Sequence, residues 1–259
     1  PSLSLVYRYD DWAGFFIVNP PAGTGSVDWE NGSATTAQMI DKIVAGARAL
    51  AAGNAASGPI TIYNQSIEAS STYIGFTLGG AYKLTDWLSL SVAGRYITSK
   101  REVKASARFN ADITIAPDTT TVDLASDFEY EANGYGAIFG INIRPLQNLN
   151  IGLRYETVTR MEFEYSTNRR TVSVTDGEGM ATAGLGAGIL ADLMKLDKNG
   201  QTLRYDLPAA FSIGAEYTVL PGFIVMAAFD YFFAEQANWE SEGDTEDHIG
   251  DGWEVSVGA

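Results

Sequence analysis

The chain has 259 residues, and 32 acidic side chains against 17 basic ones give it a formal net charge of −15. This acidity excludes nucleic acid as a partner, because phosphate binding needs clustered Lys and Arg, and it argues against a basic patch for anionic lipid. The chain has no Cys and a single His, His248. Disulfide scaffolds, Cys-based metal sites and multi-His zinc sites are therefore excluded, and we expect neither a metal nor a cofactor.

Glycine and aromatic residues are abundant, with 27 Gly, 13 Tyr, 12 Phe and 5 Trp, while charged residues make up only 19%. Such a composition favours β structure with many turns. The longest apolar run, from Phe223 to Phe229, has 7 residues, whereas a membrane-spanning helix needs about 18. A helical membrane protein is excluded, but a membrane β-barrel is not, because its signal is alternation.

Alternation of apolar and polar residues predicts about nine strands along the chain. Leu149 to Glu156 is typical, with Leu149, Ile151 and Leu153 on one face and polar or small residues on the other. In chain order the predicted strands are residues 2–9, 12–19, 60–84, a run that starts at 88, 134–143, 149–156, 211–218, 223–233 and a run that starts at 253.

The connections between these strands are alternately short and long. Residues 10–11, 85–86, 144–148 and 220–222 make the short ones, and residues 20–59, 101–127, 165–204 and 235–251 make the long ones. An up-and-down barrel with tight turns at one end has this pattern, whereas a Greek-key sandwich has no reason to show it. We predict an all-β, antiparallel, up-and-down transmembrane β-barrel with short helices in its extracellular loops.

Two of the long connections contain apolar residues at helical spacing, within 37–50 and 180–196. These residues either pack on the barrel rim or form a groove through which a hydrophobic ligand enters. As candidate ligand-binding residues we name Met39, Ile40, Ile43, Leu50, Ile189, Leu193 and Met194.

The distribution of aromatic and charged residues favours a membrane barrel over a soluble β-sandwich or passenger domain. Aromatic residues such as Trp12, Trp87 and Trp253 lie beside the short turns, where an interfacial girdle would lie. Ionisable residues recur in the middle of strands, and a hydrated lumen accepts them better than a dry core. The candidate lumen-lining residues are Arg8, Arg95, Arg154, Glu156, Glu216 and Asp230. Their arginines either pair with glutamates, which we favour, or contact a substrate carboxylate.

Two segments resemble a known family. Tyr82-Lys-Leu-Thr-Asp-Trp-Leu-Ser-Leu, which continues to Tyr96, and Asp206-Leu-Pro-Ala-Ala-Phe-Ser-Ile-Gly-Ala-Glu-Tyr217 are similar to the turn and strand motifs of FadL/TodX-type long-chain fatty-acid transporters. The segment from Asp11 to Gly23 also fits.

The resemblance implies a monomeric, fourteen-stranded barrel in the outer membrane of a Gram-negative cell, closed by an N-terminal hatch. Hydrophobic compounds would enter the lumen through a loop groove and leave sideways through an opening in the wall. With about nine strands present, we expect residues 1–259 to be one barrel domain truncated at both ends, without its hatch. No gating residue can be assigned.

An enzyme is not expected. The chain has no GxSxG or P-loop motif, and the glycine run at 184–188 lacks the strand and acidic partner of a nucleotide site. His248 lies in an acidic segment that is more simply a solvated loop than part of a triad. Acidic loop residues such as Asp28, Glu30, Asp176 and Glu178 match no EF-hand spacing.

The expected function is passive uptake of long-chain fatty acids or other hydrophobic compounds. Outer-membrane lipid or detergent and a hydrophobic small molecule would be its partners. A non-transporting barrel that acts as an anchor or shuttle in a secretion machine, and a general porin, stay open as alternatives.

Overall fold

The computed structural model describes residues 2–34, 37–38, 40–41, 45, 60–111, 120–175, 200–239 and 250–259. Within them all strand pairs are antiparallel and belong to a single sheet of 12 strands. The strands are β1 (Leu3–Tyr9), β2 (Trp12–Asn19), β3 (Gly25–Trp29), β4 (Thr61–Thr85), β5 (Leu88–Ala111), β6 (Thr120–Leu146), β7 (Leu149–Glu156), β8 (Glu162–Thr175), β9 (Thr202–Arg204), β10 (Ala209–Leu220), β11 (Phe223–Phe233) and β12 (Gly252–Gly258). The predicted all-β antiparallel class is confirmed.

Nine of these strands form a continuous wall in the order β1-β2-β4-β5-β6-β7-β10-β11-β12, and they correspond to the nine predicted strands. Two-residue turns join β1 to β2, β4 to β5, β6 to β7 and β10 to β11. Because antiparallel neighbours alternate in direction, these turns lie at one end of the wall, the turn end; the opposite end is the loop end. The backbone at Asp10 and Gly222 has positive φ, 49° and 88°, which Asp tolerates and Gly adopts without strain.

The register separates the two faces of the wall. One row across all nine strands is apolar: Tyr9, Trp12, Tyr82, Leu90, Ile141, Leu153, Ile213, Phe229 and Val255. The adjacent row on the other face is polar or small: Arg8, Ala13, Ala81, Ser91, Gly140, Arg154, Ser212, Asp230 and Glu254. We call the first the outer face and the second, on which the buried residues Tyr73, Arg95 and Ile97 lie, the inner face.

Three strands extend the sheet beyond the wall at the loop end. β3 pairs with β4, β8 pairs with β6, and β9 pairs with β8. Together with the loop-end halves of β4, β5 and β6 they form what we call the upper sheet.

The upper sheet corrects the prediction that residues 101–127 are a connection. β5 continues to Ala111 and β6 begins at Thr120, because alternation persists here with its polarity reversed. Lys100, Glu102 and Lys104 of β5 follow Leu90 and Val92 on the outer face, while Val103 follows Ser91 on the inner face. The strand therefore stays amphipathic, but the apolar face changes sides.

The reversal limits the apolar part of the outer face to a band. On β5 the band extends from Leu88 to Tyr96, close to the roughly 9–11 residues that a membrane-crossing strand needs. The described residues that carry helical geometry near the loop end are Ala34, Ala37, Gln38, Ile40, Asp41 and Ala45. No helix within the described ranges is long and apolar enough to span a membrane.

Candidate functional site

The six residues predicted to line a lumen all lie on the inner face. Arg8, Arg154 and Asp230 share one row across the sheet, and Glu156 and Glu216 lie on the same side of their strands as Arg154 and Ser212. The inner-face row of Arg95 crosses β4 and β6 at Thr77 and Gly136. That this face encloses a lumen stays a prediction.

Three of these charges form one cluster. Arg95 and Arg154 contact different carboxylate oxygens of Glu156. The side chains of Arg95 and Glu156 are 8% and 15% exposed, whereas that of Arg154 is half exposed. The cluster therefore carries one excess positive charge next to solvent, while Arg95 and Glu156 are largely desolvated and the loss of either partner would be costly.

The other predicted charges have separate environments. Asp230 accepts a hydrogen bond from the Ser212 hydroxyl at 2.5 Å. The Arg8 guanidinium donates a long hydrogen bond, 3.4 Å, to the backbone carbonyl of Asp10. Glu216 lines a cavity of about 410 Å³ nearer the turn end. The six charges thus do not converge on one site.

A larger cavity of about 470 Å³ opens beside the charge cluster. Its lining is mainly aliphatic, aromatic or small, and Arg95 and Arg154 are its charged members. The apolar part includes Phe15, Ile17 and Ile138. Polar residues such as Asn19, Thr77 and Asn142 also line it, so the cavity suits a small ligand that is largely apolar but carries a polar group.

Two connections turn inward together above this cavity. Residues 157–161, between β7 and β8, pair with residues 205–208, between β9 and β10, and we call this pair the inner ribbon. Thr159 and Leu207 exchange backbone hydrogen bonds of 3.0 and 2.9 Å, and the Tyr205 N–H donates to the Met161 carbonyl at 2.9 Å. The ribbon keeps the register that pairs Glu156 with Ala210 below it and Glu162 with Arg204 above it, so the pairing is continuous through the bend.

The ribbon leaves the wall and lies on the inner face of β6. A Cβ at Gly134 would be 2.6 Å from the Arg160 carbonyl oxygen, so only glycine allows this approach. The last contact in the plane of the wall is at Thr157, whose N–H donates to the Ala137 carbonyl at 3.0 Å and whose hydroxyl accepts from the Ala137 N–H at 2.9 Å. On this side, no described strand pairs with residues 132–136 of β6. The wall is therefore interrupted there.

Asp206 joins the ribbon to its surroundings. This residue is 1% exposed, and its carboxylate accepts hydrogen bonds from the Met161 N–H at 3.1 Å and the Asn238 N–H at 3.3 Å. The Arg204 guanidinium pairs with both carboxylate oxygens, the shortest contact being 2.8 Å. In addition, the Asp206 carbonyl accepts from the Trp239 indole at 2.7 Å. Three separate chain segments are thus linked to one residue.

Sequence analysis missed this role of Asp206. The residue lies in the Asp-Leu-Pro motif, but its partners are 32 and 45 positions away. The available signal was an isolated acidic residue at the start of an apolar strand, and that pattern does not identify partners.

Apolar side chains seal the space between ribbon and wall. Tyr73, Ile97 and Ala132 from the wall pack against Met161 and Phe163, and we call these five buried residues the inner cluster. Tyr205 and Leu207 of the ribbon pack against it. The cluster separates the cavity from the inner face of the upper sheet.

Arg101 lies at the upper margin of the cluster. Its guanidinium is 4.7, 5.0 and 5.4 Å from the ring centroids of Phe163, Tyr205 and Tyr73, and it donates to the Tyr73 hydroxyl. No carboxylate of the described chain forms an ion pair with it. Aromatic rings thus stabilise this cation through their faces.

The inner face of the upper sheet continues this apolar surface towards the loop end. Val27, Val103 and Phe128 share a row across β3, β4, β5 and β6. Phe109 and Val122 further along are buried, whereas Val27 and Trp29 are exposed. A hydrophobic surface therefore leads from the loop end to the inner cluster.

Most of the predicted ligand-binding loop residues cannot be placed. Ile40 has helical geometry and is buried. The residues outside the described ranges are Met39, Ile43, Leu50, Ile189, Leu193 and Met194, together with Asp176, Glu178 and His248. Among the described residues, no three acidic or histidine side chains are placed to hold a metal ion.

Comparison with known proteins gives a likeness of fold. No protein-family profile and no curated protein matches the sequence. The toluene transporter TbuX of Ralstonia pickettii is 12% identical with a TM-score of 0.51, over 91% of this chain and 55% of that one. A FadL homologue of Pseudomonas aeruginosa is 14% identical with a TM-score of 0.57, over 99% of this chain and 55% of that one.

The chain thus spans 55% of the length of either solved structure. At 12% and 14% identity the likeness concerns the fold alone. Within that limit, the chain has the fold of the FadL/TodX-type transporters that its turn and strand motifs resemble.

Proposed function

We propose that this chain forms the larger part of a Gram-negative outer-membrane barrel that takes up hydrophobic compounds passively. The barrel is a monomer, and residues 1–259 are one domain of it whose wall is completed by strands outside this range. The toluene transporter TbuX, with which the chain shares its fold, supports this proposal.

The observation that carries the proposal is the polarity reversal along β5 and its neighbours. Below it, the apolar outer face suits lipid and the polar inner face suits a hydrated lumen. Beyond it, the inner face becomes apolar, with Val103 and Phe128 in one row. A porin has no use for such a surface, whereas a hydrophobic ligand gains about 0.8 kcal/mol for each buried methylene.

We infer a path for the ligand that is supported by the same geometry. The ligand binds at the loop end, passes the inner cluster and enters the 470 Å³ cavity, in which Phe15 and Ile138 contact it. It then leaves sideways at the upper margin of the apolar band, where the wall is interrupted at residues 132–136 of β6, opposite residues 95–99 of β5. No step needs a cofactor, a metal or covalent chemistry.

The first test is organic extraction and mass spectrometry of the full protein, purified in a detergent unlike natural lipids. We expect a fatty acid or hydrocarbon in stoichiometric amount, lost in Val103→Asp and in the loop variants Ile43→Asp and Ile189→Asp. Ala125→Asp is the matched control, because Ala125 lies on the charged outer face. Recovery no higher than from a general porin purified in the same way would contradict transport.

One observation favours a second candidate, a barrel that anchors a secretion machine without transporting. The five residues of the inner cluster are buried and packed together, as the filled lumen of an anchor would require. The anchor predicts no extracted ligand and a stable protein partner on the loop face, detectable by cross-linking in intact cells. The transporter predicts an extracted ligand and no stable protein partner on the loop face.

A further inference from the structure

We propose that Asp206 is a positioning residue that holds the inner ribbon against β6 and thereby keeps the passage above the cavity closed. We call this role of Asp206 the latch. The inference rests on the proposed function, because holding the passage closed matters only if a ligand passes.

The ribbon is the movable half of the closure. The inner cluster consists of three wall residues, Tyr73, Ile97 and Ala132, together with Met161 and Phe163. Met161 belongs to the ribbon, and Phe163 lies at the start of β8 directly above it. If the ribbon moves away from β6, these two side chains leave the cluster and the passage opens.

Little holds the ribbon to β6 directly. Gly134 and Gly136 present no side chain to it, and a Cβ at Gly136 would lie 2.6 Å from the Thr159 hydroxyl. That hydroxyl is buried and has no hydrogen-bond partner among the described residues. Among the strands that the structure describes, none pairs with residues 132–136 on this side. Beyond the two hydrogen bonds between Thr157 and Ala137 at its lower end, the described attachment of the ribbon to β6 depends on packing.

Asp206 supplies the polar attachment from the other side. Its carboxylate ties Met161 of one ribbon segment to Asn238, which follows β11 and the short 3₁₀ turn Ala234–Gln236. Arg204 neutralises the charge in a bidentate pair. Charge-assisted hydrogen bonds are stronger than neutral ones. Removal of the carboxylate releases the Met161 and Asn238 N–H groups at once, while the backbone contacts of residue 206 with Asn238 and Trp239 remain.

The absence of cysteine from the chain makes a direct test possible. Ala132→Cys puts a unique thiol at a position that is 3% exposed beneath the ribbon. The rate of maleimide labelling of the full protein in detergent then reports how often the ribbon opens. We expect Asp206→Ala to raise this rate at least about tenfold, because loss of charge-assisted hydrogen bonds favours local opening.

Asp251→Ala is the matched control. The Asp251 carboxylate also accepts two hydrogen bonds, from the Tyr231 hydroxyl at 2.8 Å and the Glu235 N–H at 3.0 Å, but it does not contact the ribbon. We expect its labelling rate to equal that of the parent Ala132→Cys protein. Equal rises in both variants would show general loosening and overturn the latch, and so would an unchanged rate in Asp206→Ala.

Asp206→Asn keeps the test decisive if Asp206→Ala does not fold. An amide oxygen can still accept one of the two backbone hydrogen bonds, so we expect an intermediate labelling rate. A rate equal to that of the parent would contradict the latch.

Labelling needs no ligand, and the two proposals therefore fail separately. Faster labelling of the Asp206→Ala variant without any extracted ligand would support the latch and contradict transport. Extracted ligand together with an unchanged labelling rate in Asp206→Ala would support transport and contradict the latch.

Discussion

Glu156 shows how one carboxylate can pair with two arginines on different strands. Arg95 reaches it across β6, where the residue opposite Arg95 is Gly136, and Arg154 reaches it along β7. Sequence alone places all three on one face, but it does not show that they meet, because the contact depends on a glycine in the intervening strand.

We predict that Glu156→Ala destabilises the protein by roughly 3 kcal/mol, the usual cost of leaving a buried charge without its partner. Urea unfolding, monitored on gels as the loss of the compact folded form, measures this change in the free energy of unfolding. Asp86→Ala is the control: Asp86 is fully exposed in a two-residue turn and pairs with Lys83, so we expect little or no change in stability, because solvent screens exposed ion pairs. If Glu156→Ala and Asp86→Ala lower the free energy of unfolding equally, the charge cluster is as solvated as the turn.

Gly134→Val should cost about 1–3 kcal/mol, because its side chain would collide with the backbone of the ribbon. At Gly94, by contrast, no atom lies within 4 Å of a Cβ, and we expect Gly94→Val to change stability by no more than about 0.5 kcal/mol. Thermal unfolding of the two variants side by side checks this. If the order of the two effects is reversed, the ribbon does not lie on β6.

At the scale of elements, the wall was predictable and the upper sheet was not. Alternation identifies strands wherever one face is apolar, so β7 and β11 are found with their observed bounds. Between Tyr96 and Arg101 the apolar face of β5 changes sides. A search for alternation in which the apolar residues stay on one face therefore ends the strand there. The inner ribbon has no periodic signal, because its shape comes from Asp206 and two glycines far away in sequence.

The polarity reversal predicts a position-dependent cost of charge on the outer face of the long strands. Val92→Lys lies in the apolar band and should cost about 2–4 kcal/mol in a bilayer. Ser70→Lys lies on the same face beyond the band, opposite Glu102, and should change stability by no more than about 0.5 kcal/mol. Folding titrations in liposomes measure both. Similar costs at the two positions would place the membrane elsewhere.

Cross-strand pairing in the upper sheet makes its stability depend on pH. The Lys100 ammonium, 2.7 Å from Glu129, and the Asn168 amide hold the pKa of Glu129 below its ordinary value. A carboxyl group whose pKa is lowered by folding stabilises the protein above its unfolded pKa and ceases to do so as the pH falls through its folded pKa.

Glu129→Gln should therefore lower the urea midpoint at about pH 6 but leave it unchanged at about pH 3. Glu131→Gln serves as the comparison, since Glu131 is 4.0 Å from Lys100 and more exposed, and it should show a smaller difference at the higher pH. A pH-independent difference for Glu129→Gln would mean that packing and not charge is responsible.

For the molecule as a whole, the arrangement of tryptophans tests membrane insertion. Trp12 and Trp253 are exposed on the outer face, whereas Trp239 stacks on Tyr205 within the ribbon region. We predict that brominated lipids quench the fluorescence of variants that keep only Trp12 or only Trp253, and spare the variant that keeps only Trp239. Equal quenching in all three would place the ribbon against lipid and contradict the assignment of the two faces.

The continuous register of the inner ribbon also constrains how the lengths of its two arms can change in evolution. Glu156 pairs with Ala210 on one side of the bend and Glu162 with Arg204 on the other. Loss of one residue from 157–161 alone would shift one arm against the other and turn every following side chain to the opposite face. Insertions and deletions in the two arms are therefore expected to occur as matched pairs, so that among homologous sequences the lengths of 157–161 and 205–209 change together.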